Sequence, residues 1–248
     1  MPLLLCCLFS LSASATYGDS LPSLKSLREG HIKFNNTQYV HNKLNSFLAK
    51  GRVLRQENDK TEEQVFRIYK KRPDKYRSFH AVVIKNIVIT TENIYDGKSA
   101  ISIVSRNGQE ISRNPILGDE LSQLKLESLM DGPFIIVLNE GTLKVEALER
   151  VEGVDCVRLL VDGNSEHPYR NIWLRLDNFQ EAKITQIQKE PNGQEQLVDI
   201  YFSEFDATQG TIFARRSDKK INGELVYTTI VDLFETNYGI YNSFFKVD

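Results

Sequence analysis

The sequence predicts a mainly β protein, in which one large and mostly antiparallel sheet carries a few packed helices. Three observations lead there. Aromatic residues make up 10% of the 248 residues while Gly and Pro stay at 14 and 7, a composition suited to pleated, half-buried strands. Turn dipeptides that accept the positive φ of tight hairpins (Asp96-Gly97, Asn107-Gly108, Asp162-Gly163, Asn192-Gly193, Asn222-Gly223) punctuate β-like runs from about residue 50 onward. Helical periodicity is confined to the amino-terminal region and one mid-chain stretch, which excludes the strand–helix alternation of a doubly wound α/β fold. At 41% hydrophobic and 26% charged, the chain is neither disordered, collagenous nor a polytopic membrane protein. Its formal charge of −2 offers no basic footprint for nucleic acid or an anionic membrane.

Residues 2–13 form an apolar run too short to span a bilayer, and Ala13-Ser14-Ala15 has the small-x-small pattern of a signal-peptidase site. Residues 1–15 are therefore read as a secretory signal cleaved after Ala15, and residues 16–248 as one domain, because no linker, repeat or charge block divides them. Leu21, Leu24 and Leu27 recur at helical spacing. Val40, Leu44, Phe47 and Leu48 do so as well, and predict an amphipathic helix before the sheet. The expected strands are 52–57, 63–71, 76–85, 87–95 and 99–105, then 143–149, 154–161, 171–176, 182–189, 196–205 and 224–235. Between the two groups, Leu121, Leu124, Leu126 and Leu129 predict a helix over 119–130, stopped by Asp131-Gly132-Pro133. The run 225–234 is apolar on both parities, so both faces of its sheet cannot be solvent-exposed there. That leaves an enclosed cavity or a fully packed core, and composition favours the packed core.

The chemistry of a catalyst is not visible. His31, His41, His80 and His167 stand in no hydrolase or protease context, and no pair has the short spacing of a zinc site. No phosphate-cradling glycine loop follows a strand. The expectation is a non-enzyme without catalytic residues, metal or cofactor. Once the signal is removed only Cys156 remains, read as a small apolar residue on a strand, so the core alone must hold the fold.

One segment carries a family resemblance. Val65-Phe-Arg-Ile-Tyr-Lys-Lys-Arg-Pro-Asp-Lys-Tyr-Arg77, followed by Ile94-Tyr-Asp-Gly-Lys98, resembles the LolA-like outer-membrane lipoprotein-sorting proteins of bacteria. The order of later motifs agrees: Val151-Glu-Gly-Val-Asp-Cys-Val157 after the mid-chain helix, Trp173-Leu-Arg-Leu-Asp177, Glu181–Lys189, then Val231 to Asn237 with Phe244. The match covers about residues 44–245. One departure is Thr211-Ile-Phe-Ala214, where the family often has prolines before its last strands.

The resemblance implies a strongly curved antiparallel sheet forming an incomplete β-barrel, with helices closing its open side over an apolar cavity. It implies a monomeric periplasmic carrier that shields the acyl chains of lipoproteins or lipids, taking cargo from an inner-membrane transporter to an outer-membrane acceptor. Exposing an acyl chain of about 15 methylenes to water costs roughly 12 kcal/mol, which is why a carrier is needed. Arg72 falls on the motif arginine that, in the sorting carrier, helps hold the lid closed. Phe66 and Ile68 share its strand parity and are expected to line the cavity. Periodicity makes Leu121, Leu124 and Leu129 lid candidates. A sensor or protein-interaction module on the same fold, and a hydrolase with a hidden site, stay open as alternatives.

Overall fold

A computed structural model describes residues 21–35, 43–57, 60–163, 167–189, 193–208 and 210–247. The expected signal at 1–15 lies outside the described residues, as do Val40 and His41. Helix α1 (Leu24–Phe34) begins at Ser23, whose hydroxyl accepts from the Ser26 amide at 3.1 Å, and it buries Leu27 and His31. Strands β1 (Ser46–Glu57), β2 (Lys60–Lys71), β3 (Lys75–Ile84), β4 (Ile87–Tyr95), β5 (Ala100–Arg106) and β6 (Gln109–Ile116) follow. Two helices come next, α2 (Gly118–Ser128) and α3 (Pro133–Glu140). The chain then forms β7 (Leu143–Val151), β8 (Val154–Val161), β9 (Tyr169–Arg175), β10 (Glu181–Lys189), β11 (Glu195–Thr208), β12 (Thr211–Ile221) and β13 (Glu224–Thr236), and a short 3₁₀ turn at Asn242–Phe245.

Among the described residues, all thirteen strands belong to one antiparallel sheet, ordered β6-β5-β4-β3-β2-β1-β13-β12-β11-β10-β9-β8-β7. Every pairing except one joins strands adjacent in sequence. The exception is β1 with β13, which brings Phe47 opposite Thr236 and Ala49 opposite Phe234. The sheet is thus a meander that is not closed, with β6 and β7 as its two edges and α2 and α3 in the connection between them. It is mainly β and unclosed, as the resemblance implies.

The helices divide the inner face. Leu121 and Leu124 of α2 pack on Tyr76, Tyr95, Ala100, Ile116 and Ile68 from the first half of the sheet. Phe134 and Val137 of α3, with Leu27 of α1, pack on Val157, Leu159, Ile172, Leu174 and Ile184 from the second half. On the outer face, the carboxyl-terminal tail lies over β1–β3. Arg77 donates to the Phe244 carbonyl, stacks on its ring at 4.2 Å and pairs with Glu92.

Several expectations need correction. Residues 46–48 are strand, not the end of a helix. Phe47 faces inward and Leu48 outward, with Leu48 only 1% exposed beside Tyr69, so burial on both faces imitated helical spacing. Strand β6 was not expected because it is an exposed edge with little apolar signal, and Pro115 is tolerated there. Strand β12 was hidden by its charge; Arg216 forks onto Asp218 two residues on. Helix α3 is apolar all round, so it showed no amphipathic period. Gly132-Pro133 does not merely stop α2 but begins α3, with Pro in its first turn.

Gly51 lies at the bulge where β1 shifts register against β13, and a Cβ there would stand 1.9 Å from the Ile230 carbonyl oxygen and 2.8 Å from the Phe66 ring. Gly51→Ala should therefore lower stability by about 1–3 kcal/mol, read as a shift in denaturant midpoint; an unchanged midpoint would show that the seam can relax.

Candidate functional site: a cavity beneath the helical connector

Between the two packed halves of the inner face lies a cavity of about 340 Å³, within the range of about 300–1,000 Å³ that small-molecule sites occupy. Its floor comes from the β1–β13 seam and the neighbouring strands. Phe47, Phe234 and Phe213 form a continuous aromatic wall, with ring centroids 4.9 Å and 4.4 Å apart in successive pairs. Phe202, Phe205 and Ile212 extend it. The roof is the connector Leu129–Pro133 between α2 and α3, and one side is the end of α1 at His31 and Asn35. The Thr211–Ala214 segment, the departure from the family pattern, lines this space.

Polar groups hold the roof in place. The Lys70 ammonium, on the inner face of β2, donates to the Leu129 carbonyl at 2.9 Å and sits 5.4 Å from the Phe47 ring. Burial lowers its pKa to about 8, and the opposing charge of Glu127 recovers only part of that loss. Burial, and next the Glu127 carboxylate, push the Tyr76 phenol strongly up. On the other side, α3 has no side-chain cap of its own, and Glu181 of β10 replaces it by accepting from the Phe134 amide at 3.3 Å. His31 Nε2 lies 3.7 Å from the same carboxylate. Burial raises the Glu181 pKa, but the His31 hydrogen bond and charge and two backbone amides outweigh it, so the carboxyl titrates below its ordinary value.

The residues expected from sequence fall in three places. Leu129 lines the cavity. Phe66 and Ile68 lie on the inner face of β2 with Lys70, Phe66 being 4% exposed, and Leu121 and Leu124 are packed with Ile68 under α2. Arg72 follows β2, and its Nε donates to the carbonyl of cavity-lining Leu44 at 2.7 Å while its amide donates to Asn45. It therefore braces the chain entering β1. The Leu129 carbonyl of the connector is reached by Lys70, two residues earlier. Lys70 stands inside the quoted motif but reads in sequence as strand-end charge. The aromatic wall was missed because its Phe47–Phe234 contact depends on the β1–β13 pairing, which no local pattern reveals, and Phe213 stands on the unexpected strand β12. Cys156 is elsewhere, wholly buried on the outer face with Trp173 and Ala182, and burial pushes its thiol up to about 11. Among the described residues no cluster of metal-ligating side chains occurs.

No family model and no curated protein matches the sequence. Solved structures do match the fold. A DUF1329 family protein from Desulfovibrio piger superposes with a TM-score of 0.56 at 12% identity, over 89% of this chain and 97% of that one. A LolA superfamily protein from Nitrosomonas europaea gives 0.56 at 14% identity, over 91% and 98%. A domain of the outer membrane lipoprotein-sorting type from Vibrio parahaemolyticus gives 0.50 at 11% identity, over 88% and 96%. At such identities the likeness is one of fold. The molecule is an open half-barrel of the LolA type, with a partly apolar cavity under its helical connector.

Because Glu181 titrates lower in the folded chain than its free value of about 4.3, its contribution is present above that value and is lost as pH falls through the folded pKa. Thermal melts from about pH 6 down to 3 should show a loss of stability that Glu181→Gln flattens; identical slopes would remove the carboxylate from the account. The Cys156 thiol should react with Ellman's reagent at pH 8 only after denaturant is added, and rapid labelling of the native chain would contradict its burial.

Proposed function

We propose that the protein is a non-enzymatic carrier that shields the acyl chains of lipoproteins or lipids in this cavity, acting in the periplasm after removal of residues 1–15. The observation that carries the reading is the Phe47–Phe234–Phe213 wall facing a half-open cavity that, among the described residues, lies between the two packed halves of the inner face. The fold neighbours, one of lipoprotein-sorting type and one of the LolA superfamily, support the same class. Residues 16–248 act in this proposal as one domain and as a monomer, handing cargo from an inner-membrane transporter to an outer-membrane acceptor.

The sequence-derived residues keep roles in it. Leu129 is the roof contact. Phe66 and Ile68, with Leu121 and Leu124, form the packed flank against which the roof closes. Arg72 is a brace whose bond to Leu44 holds the cavity rim and yields as a ligand enters. A guanidinium suits this because several donors can be exchanged without loss of charge.

The protein should be exported with its own leader, purified from the periplasm without detergent, and weighed by native mass spectrometry before and after organic extraction. Co-purifying acylated peptide or lipid is the expected result, whereas a ligand-free mass that also refuses a fluorescent acyl probe would defeat the carrier reading. Phe234→Asp should weaken acyl-probe binding by at least about tenfold, because a carboxylate in an apolar wall must be desolvated. Arg72→Leu should change probe release rates while the circular dichroism stays native; unaltered kinetics would remove Arg72 from the site.

A further inference from the structure

The size of the cavity limits the cargo it can shield. Among the described residues its volume is about 340 Å³. An apolar cavity of about 150 Å³ is filled by benzene, so a buried ligand needs about 25 Å³ per carbon. On that scale 340 Å³ holds about 14 carbons, which is one acyl chain. A second chain of the same length needs about twice the space, and the flanks leave none. On one side Leu124 of α2 is packed with Tyr76, at 7% and 4% exposure, and on the other Phe134 of α3 is packed with Ile172, both wholly buried. Widening the cavity in either direction would lift a helix off the sheet. The floor is also stiff. Phe47, Phe234 and Phe213 stack across the neighbouring strands β1, β13 and β12, whereas methionine, the side chain that adapts to irregular cargo, lines the space only at Met130.

Because the cavity is half open, a second chain could reach its mouth, but there it would stay in water and add nothing to binding. We infer that the cavity is a one-chain site whose cargo is a single-chain amphiphile, with about 14 carbons of that chain inside the protein. A two-chain phospholipid or a lipoprotein with three chains would leave most of its apolar surface uncovered. The inference narrows the carrier reading above and rests on it.

The test has two arms, both on protein freed of co-purifying lipid. In the first, saturated fatty acids of about 8 to about 18 carbons, each below its micellar concentration, displace a fluorescent acyl probe. Affinity should rise about fourfold per added methylene while the chain is being buried and level off near about 14 carbons. Phe213→Ala, which removes a ring from the wall, should move the plateau to longer chains while circular dichroism stays native. In the second arm, vesicles hold lauroyl lysophosphatidylcholine and dilauroyl phosphatidylcholine in equal amounts, and native mass spectrometry reads which lipid the protein takes. Both lipids leave the same bilayer, so the number of chains that the protein reburies separates them. The single-chain lipid should be bound in at least about tenfold excess, since each methylene left in water costs the other about fourfold. An affinity that climbs unbroken to about 18 carbons, a plateau that Phe213→Ala leaves in place, or equal loading of the two lipids would overturn the one-chain inference while leaving an acyl carrier in place. Failure of every fatty acid and both lipids to bind would overturn the carrier reading and this inference together.

Discussion

The pairing of β1 with β13 is the constraint on which the rest of the molecule depends. Every other strand pair is closed by a local connection, whereas this one joins opposite ends of the described chain and must overcome the entropy of closing a loop nearly as long as the domain. The chain reinforces it from the outside. The Asn237 amide donates to the Ser46 carbonyl, the Asn237 side chain accepts from the Asn45 amide, the Ser46 hydroxyl donates to the Tyr238 carbonyl, and Lys71 donates to the carbonyl of Ile240. The same seam sets Phe47 beside Phe234 on the inner face. Stability of the sheet and shape of the cavity floor are therefore one problem, solved by one register.

The cavity exists because the two helices do not meet over that seam. Helix α2 is committed to the first half of the sheet by Leu121 and Leu124, and α3 to the second half by Phe134 and Val137. The connector between them spans the middle and lines the cavity with Leu129, Met130 and Pro133, and Gly132 approaches Glu181 so closely that a Cβ would stand 2.7 Å from its Oε1. What holds the connector is polar: Lys70 at one end and Glu181 at the other.

Much of this was legible in the sequence. Strands β4 and β8 run over the residues that alternation and flanking turns mark out, and α2 differs from its expected span by one or two residues. Asn107-Gly108 and Asn222-Gly223 adopt the paired positive φ their chemistry favours. The losses share a cause. Strand β6 buries little, β12 spends its charge on internal pairs, and residues 46–48 are buried on both faces, so in each the pattern reports an environment set by partners distant in sequence. The site was less legible than the fold. Leu129 could be reached by helical periodicity, but the aromatic wall joins Phe47 to residues beyond 210, and Lys70 differs from other strand lysines only in what stands opposite it.

The opening between β6 and β7 has one further consequence. Because those two edges are neighbours in sequence, α2, α3 and the connector between them all lie in residues 117–142, with α1 packed beside α3 from the amino-terminal side, and no strand pairing passes through 117–142. Insertions or deletions in that stretch alter the enclosed volume without re-registering the sheet. The fold thus separates a frame of thirteen strands among the described residues from one contiguous segment that covers the cavity between α2 and α3.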